Sequence, residues 1–125
     1  MSAGYDIRIP INLDVEAGKT YKVRTGVFLE DGDFATFGGQ EMPFVMVLAP
    51  RSGLGIKKGF RLTNTVGIID QDFRNEIEVS FSMTEDHHFN ANDKFVQALI
   101  LPAGILSGEI APEEERKGGF GSTGN

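Results

Sequence analysis

At 125 residues the chain has the length of one domain and can bury a single substantial core. Its formal charge of −6, from 18 acidic and 12 basic residues, does not suit a general nucleic-acid coat, which draws on clustered Lys and Arg. The lack of cysteine excludes disulfides and sulfur-ligated metal, and no apolar run approaches a membrane span, so the composition predicts a soluble intracellular protein.

Sixteen glycines and no tryptophan indicate many turns rather than long helices. In YDIRIPINL, Tyr5, Ile7, Ile9, Ile11 and Leu13 alternate with polar residues. That predicts a half-buried strand, with Pro10 at a sheet edge or bulge. Tyr21, Val23, Val27 and Leu29 continue the alternation after the turn at EAGK, and a turn cluster, EDGDFATFGGQ, follows. The run PFVMVLA predicts a strand buried on both faces. EIEVSFSM alternates through Ile77, Val79, Phe81 and Met83. Beyond the turn TEDHHFNANDK, KFVQALILP predicts a further buried strand with Gln97 as a polar intruder, ended by PAGILSG. No apolar stripe at helical spacing lasts three turns, so the expected class is all-β, a sandwich or barrel without repeats or a second domain.

Four segments break this pattern in ways a core does not require. In PRSGLGIKKGF, residues 50–60, an arginine, a hydroxyl and glycine amides converge on one turn after a buried strand. Such groups hold phosphate oxygens, since Arg pairs bidentately and bare glycine lets amides approach; an ordinary surface turn is the plainer reading. In NTVGIIDQDFRNE, Asp70 follows Val66, Ile68 and Ile69. A carboxylate entering an apolar run costs free energy unless paired or used, and it could activate a water held against an electrophile. The alternative is a tight hairpin capped by Asp70 and Asp72. Gln97 either satisfies a neighbouring backbone group or faces a ligand.

The last ten residues, RKGGFGSTGN, hold seven Gly, Ser, Thr or Asn and one large apolar residue, Phe120. They offer amides and hydroxyls as phosphate cradles do, without the Lys of a Walker A loop. Arg51, Lys57, Lys58 and Arg61 form one basic cluster, and Arg116 with Lys117 forms another. If the two meet they make a local anion site; otherwise they are solvated surface. His87 and His88 are adjacent in a turn, where solvation is commoner than metal binding.

Taken together and in order, AGYDI at 3–7, PRSGLGIKKG from 50, NTVGIIDQDFRNEI from 64, KFVQALILP from 94 and RKGGFGSTG from 116 resemble the five motifs of the trimeric dUTPases. The resemblance implies a distorted jelly-roll, or β-clip, subunit over residues 1–115 and a flexible C-terminal lid over 116–125. It implies a homotrimer with three shared active sites and hydrolysis of dUTP to dUMP and pyrophosphate by water attack on the α-phosphorus. Asp70 matches the carboxylate that activates this water. Asn64, with the hairpin backbone that includes Gly67 and Ile69, matches the uracil reader. Phe73 matches the ring packed under the deoxyribose.

By the same resemblance Arg51, Ser52, Gly53 and Gln97 match phosphate contacts, and Asp6 looks like a supporting carboxylate that partners an Arg. Arg116, Gly121, Ser122 and Thr123 match the tail's phosphate contacts, and Phe120 the ring that stacks on uracil. Mg²⁺ would be held through phosphates and water rather than by direct protein ligands. The family usually has Tyr at position 73 and often Gly at position 75, where this sequence has Phe73 and Asn75. It commonly places the tail Arg five residues before the Phe, not four as here. The expected partners are dUTP and two further subunits, with no nucleic acid and no membrane. The expected location is the cytoplasm, or the host cytoplasm for a phage- or virus-encoded chain. The rival reading is a non-catalytic, regulatory protein of the same fold that binds nucleotide and a protein partner through its acidic loops. dCTP deaminase shares the fold, but GIIDQDF has the hydrolase form.

Overall fold

The computed structural model describes residues 3–104. Arg116, Phe120, Gly121, Ser122 and Thr123, and with them the predicted lid, lie outside the described residues.

The described chain folds as strands β1 (Tyr5–Arg8), β2 (Leu13–Val15), β3 (Thr20–Arg24), β4 (Ala35–Phe37), β5 (Gln40–Met42) and β6 (Phe44–Pro50), then helix α1 (Ser52–Lys58). Strands β7 (Arg61–Leu62), β8 (Gly67–Asp70), β9 (Glu78–Ser82), β10 (His87–Phe89) and β11 (Lys94–Pro102) follow. The all-β expectation holds, and every described pairing is antiparallel. A four-stranded sheet runs β1-β11-β6-β8 and a three-stranded sheet β3-β9-β7, with two-stranded ribbons β10-β2 and β4-β5. The β4–β5 turn places Gly38 and Gly39 at φ 63° and 81°, the two left-handed residues that a tight hairpin requires.

The core lies between the two larger sheets. Alternation in β9 and its flanks puts Ile77, Val79, Phe81 and Met83 almost wholly inside. Phe60 stacks on Phe81 with ring centroids 4.7 Å apart, and Phe89 and Phe95 meet Phe81 edge-on near 6 Å. Each such ring contributes about 1.5–3 kcal/mol by leaving water.

The register of the four-stranded sheet decides what faces where. Ile7, Val96, Ala98, Leu48 and Met46 share the buried face. Directly paired residues point to the same side, so Asp6, Gln97 and Ala49 form one row of the other face. Leu99, Val47 and Ile68 form the next row, and Leu101, Val45 and Asp70 the third.

Three of the predicted strands differ from expectation. PFVMVLA is not buried on both faces: Phe44, Met46 and Leu48 are buried, while Val45, Val47 and Ala49 on the outer face are half-buried. KFVQALILP likewise ends exposed at Leu101, because no described element covers that side of the sheet. YDIRIPINL is two strands, not one. The chain leaves the sheet around Pro10, so Tyr5 and Ile11 are exposed while Ile7 and Ile9 enter the core.

The segment after β6 is a seven-residue helix rather than a turn. It ends where Gly59 takes a left-handed conformation, φ 66°, and its amide bonds back to Leu54 O. Lys57 and Lys58 sit in the last turn, which suits the carbonyl end. A Cβ on Gly59 would overlap the side chain of Thr84, whose hydroxyl donates to Lys58 O at 3.2 Å. Gly59→Ala therefore destabilises by about 1–3 kcal/mol, from left-handed strain plus overlap. Chemical denaturation would measure it, and an unchanged midpoint would contradict this account of how α1 is held.

Candidate active site

The first group of predicted residues gathers where β1, β6 and β11 meet. Arg51 is the N-cap residue of α1, extended at φ −74° and ψ 142°, and its side chain pairs with Asp6, Nε to Oδ1 at 3.2 Å. Lys94 approaches the other oxygen of the same carboxylate at 3.4 Å. Asp6 meets Arg51 at Nε, and the Nη groups carry further N–H donors of the kind that pair with an oxyanion. Ser52 and Gly53 are exposed, and nothing lies within 4 Å of where a Gly53 Cβ would be. The first helical bond runs from Gly55 N to Arg51 O, so the Ser52 and Gly53 amides point out of the helix start.

Gln97 stands beside Asp6 in the sheet register, and its Nε2 donates to Pro50 O at 3.0 Å. That is the backbone-satisfying role read from the residues alone, and it fixes the carbonyl that precedes Arg51. Gly4 closes the group from the other side: a Cβ there would sit 2.8 Å from Gln97 Oε1, closer than real contacts allow. A bare backbone is what lets the amide side chain lie flat at this point.

The second group lies on and around β8. Asn64 is exposed, and its O accepts from Val66 N at 2.7 Å. Between them Thr65 is left-handed at φ 71°, a strained conformation for a β-branched residue. Gly67 packs tightly on Leu48, whose Cβ would be 3.0 Å from any added Cβ. Asp70, half-buried, ends the strand, and its O accepts from Phe73 N at 3.0 Å. The Phe73 ring is half-buried and packs against the core, which fixes its position.

Two features of this segment differ from expectation. Among the described residues β8 does not fold back on the segment that follows it as a hairpin; it pairs with β6, and the chain turns at Asp70–Phe73 and runs on to β9. The apolar run before Asp70 is not inside either, since Val66 and Ile68 are exposed, Ile68 by 59%. They lie on the outer sheet face, which no described element covers.

The two groups share that outer face but not one place on it. Asp70 and Gln97 are two strands and four residues apart in the register, roughly 15 Å by strand geometry. No side chain spans that gap within one chain.

Comparison with known proteins decides the family. The dUTPase family model matches residues 1–124. The chain belongs to the dUTPase family. Deoxyuridine 5′-triphosphate nucleotidohydrolases of Legionella pneumophila (strain Paris) and Neisseria meningitidis are 34% and 36% identical to it. Each alignment covers 98% of this chain, with 81% of the Legionella and 82% of the Neisseria protein. A dUTPase crystal structure from Streptococcus mutans superposes with TM-score 0.64 at 26% identity, covering 86% of this chain and 83% of that one. A mutant dUTPase from phage phi11 of S. aureus, whose structure describes coordination of a structural Mg(II) ion, gives TM-score 0.66 at 19% identity. That alignment covers 91% of this chain and 84% of the phage protein, and at such identity it speaks to the fold alone.

Within this dUTPase-family chain several supporting residues escape a reading of the sequence. Gln71 Oε1 accepts from Phe44 N at 3.0 Å and ties the turn after Asp70 to the start of β6. Arg74 holds the same turn, donating to Gln71 O at 2.8 Å and to Asp31 Oδ1 at 2.9 Å. The signal for both was their position beside Asp70 and Phe73; their partners, up to 43 residues away, carry no local trace. Among the described residues no group of three or more His, Asp or Glu stands ready to hold a metal. His88 is bonded instead to Asp14 at 2.6 Å and Asn90 at 2.9 Å, and these raise its pKa above the usual histidine range. Of the basic cluster, Lys58 pairs with Glu85 at 3.9 Å and Arg51 with Asp6. No helix among the described residues is long and apolar enough to cross a membrane.

Proposed function

We propose that this chain hydrolyses dUTP to dUMP and pyrophosphate in a homotrimer whose sites each draw on more than one subunit. Membership of the dUTPase family supports the reaction. The observation that carries the shared site is the separation of Asp70 from the Asp6–Arg51–Gln97 group on one sheet face. With roughly 15 Å between them in the sheet, Gln97 and the Arg51 beside it lie far from an α-phosphorus held at Asp70 of the same chain. A neighbouring copy brings the second group within reach. The outer face between the groups suits that contact: Val45, Val47 and Leu99 are half-buried, and Ile68 and Leu101 are exposed by 59% and 44%. Apolar surface of this kind marks association.

In this reading Asp70 accepts a proton from a water aligned with the α-phosphorus. The new water-oxygen bond to phosphorus forms as the bond to the bridging oxygen breaks, and the electron pair leaves with pyrophosphate. The Arg51 guanidinium and Ser52 hydroxyl, with the exposed Gly53 amide, donate to phosphate oxygens and stabilise the charge that develops there. Gln97 stands near the α-phosphate when its amide turns from Pro50 O. Asn64 and the backbone of Gly67 and Ile69 read uracil, whose acceptor pattern excludes the exocyclic amine of cytosine. Residues 116–125 close over the nucleotide, with Phe120 on the base and Arg116, Gly121, Ser122 and Thr123 on the phosphates.

The donor set fits a magnesium ion bound through phosphates and water. Asp6, whose two oxygens meet Arg51 and Lys94, would accept hydrogen bonds from the waters of that ion. When bound, Mg²⁺ would neutralise charge on the triphosphate.

Phe73 supplies a test of specificity. A ring held by the core under the sugar leaves no room for a 2′-hydroxyl, so dUTP is preferred over UTP in kcat/KM by about tenfold or more. Phe73→Ala narrows that ratio. Equal kcat/KM for the two nucleotides in the unaltered protein would remove Phe73 from this role.

A further inference from the structure

A hollow of about 360 Å³ opens between α1, β10 and the start of β11, lined by Arg8, Arg51, Lys94, His87, Leu54 and Phe89. That volume is within the range of small-ligand sites, about 300–1,000 Å³. Three of these side chains are permanent cations. Asp6 serves two of them, Arg51 at 3.2 Å and Lys94 at 3.4 Å. Arg8 donates from Nη1 to the neutral carbonyl of Asn92 at 2.8 Å and makes no ion pair with a described residue. The carboxylate in the lining, Asp93, accepts from Asn90 N at 2.8 Å. The hollow is thus net positive on a chain of formal charge −6.

Its walls strengthen that field. Half-buried Leu54 and the buried ring of Phe89 form the apolar part of its lining, beside which charges act more strongly than in bulk. The His87 ring meets Phe89 edge-on at 4.5 Å. Burial first, then the Lys58 ammonium and the neighbouring His88, hold the His87 imidazole below its usual range, with Asp93 opposing. A neutral imidazole adds an N–H donor without further charge.

We propose that this hollow is a binding site for a small polyphosphate anion of the pyrophosphate class, apart from the nucleoside contacts around β8. Arg51 is its shared wall with the phosphate contacts proposed above, so a departing anion passes from Arg51 towards Arg8 and Lys94. Naming pyrophosphate as the natural occupant rests on the proposed reaction, which releases it; the anion site rests on the side chains alone.

The test is NMR titration of the His87 imidazole in the full chain with magnesium-free inorganic pyrophosphate. A saturable shift is expected, with the His87 pKa moving up as the anion approaches. Arg8→Gln weakens binding about tenfold, as loss of a charged hydrogen bond does, and Arg8→Glu abolishes it. Thermal melts matched to the unaltered protein check that both variants fold. No saturable response at His87, or equal affinity in folded Arg8→Gln, would overturn the site. Inorganic phosphate binding as tightly as pyrophosphate at matched ionic strength would overturn the polyphosphate class. A response at His87 in a chain that does not hydrolyse dUTP would uphold the site and sink the reaction; hydrolysis without the response would do the reverse.

Discussion

Asp70→Asn lowers the turnover of dUTP by about two to four orders of magnitude, the usual contribution of a positioned general base. That corresponds to about 3–5 kcal/mol of lost transition-state stabilisation. Asparagine keeps the shape of the side chain and can still orient a water, but it cannot take the proton. Asp70 ends β8 and its carbonyl holds the turn through Phe73 N, so an isosteric change leaves that backbone bond in place. Binding of a non-hydrolysable dUTP analogue should therefore stay within a few-fold of the unaltered protein while kcat falls. Near-normal hydrolysis by the variant would remove Asp70 from the role of base.

Deleting residues 116–125 should lower kcat/KM by about a hundredfold or more while leaving the thermal midpoint unchanged. The segment's composition sets this expectation. The deleted segment carries two cations, two hydroxyls, four glycines and one ring, and none of these can build a core. They can cover a nucleotide, exclude competing water and hold the triphosphate for in-line attack. Misplacing a reacting group by an ångström already costs about a hundredfold, and removing a lid forfeits more. The buried core of the described residues runs from Ile7 to Ala98, and a segment of this composition adds little apolar surface to it. Full activity in the truncated protein would return the segment to an ordinary chain end.

How much of this was legible in the sequence differs by level. Period-two alternation reports burial directly, so Ile77, Val79, Phe81 and Met83 could be assigned to the core from their spacing. The helix α1 was hidden because SGLGIKK holds two glycines and spans only seven residues. What stops it is Gly59 seated under Thr84, a contact between positions 25 residues apart. PFVMVLA is apolar on both faces, but sequence cannot say whether the second face meets its own chain or another copy. The residue types of the proposed site could be picked out by motif. Their grouping could not, because it depends on the register of β11 with β6 and of β6 with β8, which no local pattern encodes. The hollow beside Arg8 is illegible for the same reason, since Arg8 and His87 come from opposite ends of the described chain.

The shared site can be tested by mixing two inactive proteins. Asp70→Asn and Arg51→Ala would each be purified, combined in equal amounts, unfolded and refolded together, and assayed with dUTP and Mg²⁺. If Asp70 and Arg51 of one site come from different subunits, random assembly restores about one quarter of the sites, those taking Asp70 from an Arg51→Ala chain and Arg51 from an Asp70→Asn chain. That recovery is the expected result. A mixture as inactive as its components would place both residues of each site in one chain and contradict it.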